Sequence, residues 1–68
     1  MKEFQKRLIE LRKESKLSQR KMAEKLNISQ PSYIRYEHGT AEPNLDKLVK
    51  MAKIFDIPTD YLLGIIDL

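Results

Sequence analysis

Apolar residues recur at helical spacing near the start of the chain. Phe4, Leu8 and Leu11 are separated by four and three residues, which places them on one face of a helix. Lysine, arginine and glutamate fill most of the other positions. The pattern therefore predicts a first helix from about Lys2 to Ser15.

A second and shorter helix is predicted from Gln19 to Leu26. Ser18 precedes it and is a suitable N-cap, because a serine hydroxyl accepts a hydrogen bond from an unpaired N–H of the first turn. Met22, Ala23 and Leu26 then lie on one face. Asn27 follows, and asparagine tolerates the left-handed conformation that ends a helix.

The next segment predicts a third helix after a connection of about three residues, Asn27 to Ser29. Pro31 is tolerated in a first turn, where its missing N–H has no helical partner. Proline prefers the first helical position, which would make Gln30 the cap, but Ser29 has the better capping side chain and we favour it. Gly39 is a suitable left-handed terminator.

The two sides of this third helix differ in chemistry, at about 100° per residue. One side carries Tyr33, Tyr36 and Glu37, and the other carries Pro31, Arg35 and His38. We expect both tyrosines to pack in the core rather than to stack on a ligand.

The remaining pattern predicts a loop from Thr40 to Pro43 and a fourth helix capped by Asn44. Its apolar residues are expected to point inward: Leu45, Leu48, Met51, Ala52 and Phe55. Asp56 ends that helix and Ile57 joins the core. Pro58 begins a fifth helical turn that contains Leu62 and Leu63. No segment alternates like a strand, so the pattern predicts an all-α protein with five helices.

Length and composition limit the possible functions. A chain of 68 residues predicts one domain, residues 1–68, with a thin core. The absence of cysteine excludes disulfides and thiolate zinc sites. The net charge of +3 fits a polyanion partner, although a solvated surface explains it equally well.

Other classes of protein find no support in the residues. No apolar run approaches the roughly 20 residues of a membrane span, and the first residues are too charged for a signal peptide, so we expect a cytoplasmic protein without a membrane segment. The chain has two glycines and one histidine, and it lacks a glycine-rich phosphate loop. We therefore expect no enzymatic activity, cofactor, metal or small-molecule ligand.

Two short helices joined by a tight turn, the second with a polar outer face, form a helix-turn-helix unit. From Leu8 to Leu63, about four fifths of the chain, the sequence resembles the Cro/repressor-type (XRE-like) helix-turn-helix family. The residues that carry this resemblance are Leu8, Leu11, Arg12, Leu17-Ser18-Gln19, Met22-Ala23, Leu26, Ile28-Ser29, Arg35-Tyr36-Glu37, Gly39, Pro43, Leu45, Leu48, Ala52, Phe55 and the final DIPTDYLLG. Asn27 and Asp56 stand where the family often has glycine, and both tolerate a positive φ.

The resemblance implies a compact five-helix lambda-repressor-like fold, with the helix-turn-helix formed by helices 2 and 3. It also implies sequence-specific binding of double-stranded DNA by a transcriptional regulator: a repressor acting as a homodimer on a palindromic operator, with helix 3 in the major groove. The alternative is a protein-interaction module with the same fold, such as an antagonist of a partner regulator. Pro31 and Ile34 favour that alternative, whereas Gln30, Ser32 and Arg35 weigh against it.

The base-reading residues expected from this resemblance are Gln30, Pro31, Ile34 and Arg35. Gln30 can pair with adenine or serve only as a cap, and Arg35 can bind guanine or phosphate, or face solvent. Pro31 replaces a residue that is usually polar, and Ile34 one that is usually small or polar. Together these two suggest contacts with thymine methyl groups.

The expected phosphate contacts are Ser18, Gln19, Ser32, His38, Thr40 and Asn44. Gln19 is also expected to brace the third helix, unless it is simply solvated. Positive side chains that would displace counterions are Lys6, Arg20, Lys21 and Arg35. By resemblance, Arg12 and Glu37 form a partly buried ion pair between the first and third helices.

The end of the chain, from Gly64, is apolar for a terminus. It can pack on the chain's own core, form a dimer contact or lead into a longer protein. We favour the dimer contact, with Leu62, Ile65, Ile66 and Leu68 as its residues.

Overall fold

The computed structural model describes residues 2–68, which form five α-helices and no β-strand. The helices are α1 (Lys2–Glu14), α2 (Gln19–Leu26), α3 (Gln30–His38), α4 (Leu45–Phe55) and α5 (Thr59–Leu62). The predicted all-α architecture is confirmed. The bounds of α2 are the predicted ones, and α1 ends one residue before the predicted Ser15.

Side-chain caps fix the starts of three helices. Ser18, Ser29 and Asn44 each accept a hydrogen bond from the backbone N–H three residues later, at 3.0, 3.2 and 2.8 Å. Ser29 is therefore the N-cap of α3. Pro31 occupies the second helical position, where an N–H would have no helical partner.

Left-handed residues end the helices, as the sequence predicts for three of them. Asn27, Gly39 and Asp56 terminate α2, α3 and α4 with φ of 59°, 81° and 54°. Lys16 also has a φ of 58°, which the sequence did not indicate. It ends the turn after α1, where the amide of the following Leu17 donates to the carbonyl of Arg12 at 3.1 Å.

The core lies where α1, α2, α3, α4 and α5 meet, with α3 packed on α1 and α2, α4 on α2 and α5, and α5 on α1. Its buried apolar residues are Phe4, Leu8, Met22, Ala23, Leu26, Tyr33, Leu48, Met51, Ala52 and Leu62. Tyr33 is fully buried, and Tyr36 is half-buried against the core. The two rings meet edge-on. The tyrosines thus pack inward, as predicted.

Two leucines do not lie where the sequence predicted them. Leu45 is 78% exposed, because it is the first residue of α4 and the buried stripe of that helix begins one turn later at Leu48. Leu62 is fully buried in the core of its own chain, so it cannot be a dimer contact. Phe55 and Ile57 pack against the core but are only half-buried.

The segment after α5 returns to α1 and is held there by Arg7. The Arg7 guanidinium donates to the carbonyls of Tyr61 and Ile66 at 2.7 and 2.6 Å and to the carboxylate of Asp67 at 2.8 Å. The same group lies 4.3 Å from the centre of the Tyr61 ring. The side chains of Ile65, Ile66 and Leu68 remain exposed on the outside of this segment.

Across residues 2–68, the helices are too short or too polar to cross a membrane.

Candidate nucleic-acid interface

The connection between α2 and α3 is a short, internally bonded turn. Asn27 closes α2 in the left-handed conformation, and the amide of Ile28 donates to the carbonyl of Ala23 at 3.0 Å. Ile28 packs on the core, and Ser29 begins α3. This arrangement forms the helix-turn-helix unit that the sequence predicts.

The inner side of α3 is fixed through Glu37, a residue only 5% exposed. Its carboxylate accepts hydrogen bonds from Arg12 Nε at 2.6 Å, Arg12 Nη2 at 3.3 Å, Gln19 Nε2 at 3.1 Å and Tyr33 Oη at 2.6 Å. Arg12 also donates to the carbonyl of Leu17 at 2.9 Å. The ion pair implied by the resemblance is therefore part of a network that joins α1, α2 and α3.

The network also sets the ionisation of its members. Burial acts to raise the pKa of Glu37, but hydrogen bonds from Arg12, Tyr33 and Gln19 outweigh it and lower the pKa below its ordinary value. Burial, together with the hydrogen bond to Glu37, raises the pKa of Tyr33 far above its usual range. Glu37 is therefore ionised and Tyr33 is a neutral donor at neutral pH.

The outer side of α3 carries the residues predicted to read bases. Gln30, Pro31 and Arg35 are exposed, and Ile34 is half-buried. Arg35 forms no ion pair with another of the described residues. Glu37 is the one acid in α3 and it points inward, so the outer side carries no negative charge.

The residues predicted to contact phosphate fall into two groups. Ser18, Gln19 and Ser32 lie at the starts of α2 and α3, whereas His38, Thr40 and Asn44 follow along the chain from the end of α3 to the start of α4. Some of their polar atoms already have partners. The side chain of Ser18 caps α2, Gln19 donates to Glu37, and the side chain of Asn44 caps α4.

A basic groove lies at the start of α2; it combines Ser18, Arg20 and Lys21, which the sequence analysis named, with Lys16, which it did not. It has a volume of 430 Å³ and is lined by Lys16, Leu17, Ser18, Arg20, Lys21 and Glu24. Lys16 joins it because its left-handed conformation turns the chain between α1 and α2. A lysine at a positive φ carries no sequence signal of its own, so this member could not be predicted.

Within the described part of the chain, no group of three or more histidine or acidic side chains is arranged to hold a metal ion.

Comparison with known proteins places this arrangement in a family. A helix-turn-helix family model matches residues 8–62. The chain is 46% identical over 61 residues to the uncharacterized HTH-type transcriptional regulator YobD of Bacillus subtilis, over 90% of this chain and 54% of that protein. It is 41% identical over 59 residues to the HTH-type transcriptional regulator ImmR of the same organism, over 87% of this chain and 46% of that protein.

A third relative comes from a phage. The chain is 40% identical over 58 residues to the cryptic phage CTXphi transcriptional repressor RstR of Vibrio cholerae, over 85% of this chain and 52% of that protein. The chain thus spans about half the length of the curated relatives it matches. No solved structure matches it.

The names of these relatives describe regulators of transcription and not enzymes. The match of the family model covers most of the chain and both helices of the helix-turn-helix unit. The resemblance found in the sequence is confirmed, and the chain belongs to the XRE-type helix-turn-helix family of DNA-binding transcriptional regulators.

Proposed function

We propose that residues 1–68 act as one DNA-binding domain that represses transcription in the cytoplasm by occupying a palindromic operator as a homodimer. The helix α3 of each copy lies in the major groove. The observation that carries this proposal is the division of α3 into an inner side held by Glu37 and an outer side that is exposed and free of negative charge.

Base recognition follows from the outer side of α3. In a helix-turn-helix unit the second helix enters the major groove with its N-terminal residues against the base edges. Gln30 would pair with adenine N6 and N7, and Arg35 with guanine O6 and N7, since these side chains match those edges. Pro31 and Ile34 present carbon surfaces between them.

Contacts with phosphate fix the depth and direction of α3 in the groove. Ser18, Gln19 and Ser32 lie at helix starts, where free N–H groups and the helix dipole attract anions. His38, Thr40 and Asn44 are exposed near the other end of α3. They would contact phosphates farther along the DNA backbone.

Dimerisation would use the exposed apolar side chains Ile65, Ile66 and Leu68, which Arg7 holds on the outside of α1. A second copy of the chain would cover these side chains. The two α3 helices must then lie about 34 Å apart, one turn of DNA. A dimer bound beside a promoter would exclude polymerase sterically.

The second candidate is a module that binds a partner regulator through α3. The observation that favours it is the carbon surface that Pro31 and Ile34 contribute to the outer side. The polar and charged Gln30 and Arg35 on the same side favour DNA.

Selection of bound duplexes from a random DNA pool separates these two functions. We expect enrichment of one motif in two inverted halves, with centres about 10 base pairs apart. Enrichment of a single half without inversion would contradict the homodimer but not base recognition by α3. A pool that stays random after repeated rounds would contradict specific DNA binding and leave the interaction module as the better account.

A further inference from the structure

Two apolar side chains on the outer side of α3 do not pack against the core. Pro31 is exposed, and Ile34 is half-buried but is not one of the side chains packed against the core cluster. In the proposed complex both would be enclosed by the edges of base pairs. Their chemistry therefore limits which bases can lie opposite them.

The 5-methyl of thymine is the one methyl group that the bases present in the major groove; apart from the small C5–H of cytosine, the other groups on the base edges there are hydrogen-bond donors or acceptors. A carbon surface pressed on a donor or acceptor removes its water without replacing the hydrogen bond, which is unfavourable. Proline adds no backbone N–H that could compensate. Thymine is therefore the base that offers Pro31 and Ile34 the largest apolar contact.

The spacing of the two residues sets the spacing of the bases. Residues three apart in an α-helix are about 4.5 Å apart along its axis. Base pairs are stacked about 3.4 Å apart. With α3 running along the major groove, this separation corresponds to about one base-pair step, so Pro31 and Ile34 would face neighbouring base pairs.

We infer that Pro31 and Ile34 are specificity-determining residues that recognise the methyl groups of two thymines on neighbouring base pairs in each half of the operator. The inference rests on the proposed function and states which chemical group the recognition helix selects. Gln30 and Arg35 would recognise the polar edges beside those thymines.

Replacing thymine by uracil tests this directly on the unmodified protein. Uracil lacks only the 5-methyl group and keeps the same pairing. On an operator selected from the random pool, each thymine is replaced in turn and the Kd is measured. We expect a loss of about fourfold per methyl, the value for exposing one methylene-sized group, at two neighbouring base pairs and little change elsewhere.

Variants then assign each methyl to a side chain. In Ile34→Ala, uracil should no longer weaken binding at one of the two positions, and in Pro31→Ala it should no longer do so at the other. Arg35→Ala is the matched control, because it lies on the same side of α3 but should leave both uracil effects intact. Circular dichroism establishes that each variant is folded before its Kd is used.

The results that overturn the inference differ from those that overturn the proposed function. Specific binding in which no thymine methyl matters contradicts the inference and leaves DNA recognition by α3 standing. Methyl effects that persist unchanged in both Ile34→Ala and Pro31→Ala would also contradict it. Failure to select any DNA sequence contradicts the proposed function and the inference together.

Discussion

Single residues have their largest effect on the structure where a charged side chain is buried. The side chain of Glu37 is 3% exposed and that of its partner Arg12 is 12% exposed, with the nearest atoms 2.6 Å apart. Removing such a pair from water costs about as much as the attraction returns, so the pair is no proof of added stability. The pair instead holds α3 in one position. The carboxylate of Glu37 has all of its hydrogen-bond donors only when α1, α2 and α3 pack as they do in this structure.

Breaking this pair should be costly. Arg12→Ala leaves Glu37 buried without its cation, and we expect the free energy of unfolding to fall by about 3–5 kcal/mol. Urea denaturation followed by circular dichroism measures the change. The control is Arg20→Ala, whose pair with Glu24 is exposed (79% and 54%) and should contribute about 1 kcal/mol or less. Equal and small effects of both variants would show that the Glu37 network does not hold α3.

Glu37 should also make the stability of the protein depend on pH. Because folding lowers the pKa of Glu37 from its ordinary value of 4.5, its contribution is complete above that pH and is lost as the pH falls through the lower folded pKa. We expect the Tm of the unmodified chain to fall below pH 4.5 more steeply than that of Glu37→Gln, which has no titrating group there. Parallel curves for the two proteins would exclude this role for Glu37.

At the scale of elements, the ends of the helices explain how such a short chain makes four sharp connections. Caps at Ser18, Ser29 and Asn44 were predictable, because serine and asparagine carry the capping atoms themselves. The left-handed Asn27 and Asp56 were predictable as residues that tolerate a positive φ. Lys16 was not, since lysine has no such preference and its conformation belongs to the hydrogen-bonded turn that connects α1 to α2.

Lys16 therefore predicts a stabilising substitution. A non-glycine residue in the left-handed region costs about 1–2 kcal/mol, and glycine removes that cost while losing about 0.4–1 kcal/mol through its freer unfolded state. We expect Lys16→Gly to raise the free energy of unfolding by about 0.5–1 kcal/mol in chemical denaturation. Lys13→Gly, inside α1, is the control and should lower it by about 1 kcal/mol. A loss of stability in both variants would contradict the strain assigned to Lys16.

The helices could be predicted from the sequence, whereas the contacts between distant parts of the chain could not. Apolar periodicity, together with the capping residues and Pro58, located the five helices and the two sides of α3. It put Leu45 in the core, however, because a period does not tell where the neighbouring elements end. The hydrogen bonds of Arg7 to Tyr61 and Ile66 span 54 and 59 residues, so no local pattern could have indicated them.

For the molecule as a whole, binding to DNA should depend on its positive surface. Each phosphate neutralised contributes about −0.9 to the slope of log K against log salt concentration. We expect Lys21→Ala, in the basic groove at the start of α2, to make that slope shallower by about 0.9 and to weaken binding equally on all sequences. The control is Lys53→Ala on α4, which lines a separate groove with Pro58 and should leave the slope unchanged. A slope that is the same in all three proteins would remove this groove from the interface.

A nuclear magnetic resonance titration of the nitrogen-labelled chain with its selected operator shows directly whether α3 contacts the DNA. We expect the largest amide shifts at residues 18–21 and 29–35, the starts of α2 and α3, with Pro31 left out because it has no amide N–H. Shifts confined to α4 and residues 63–68, with α3 unchanged at saturating DNA, would contradict this expectation.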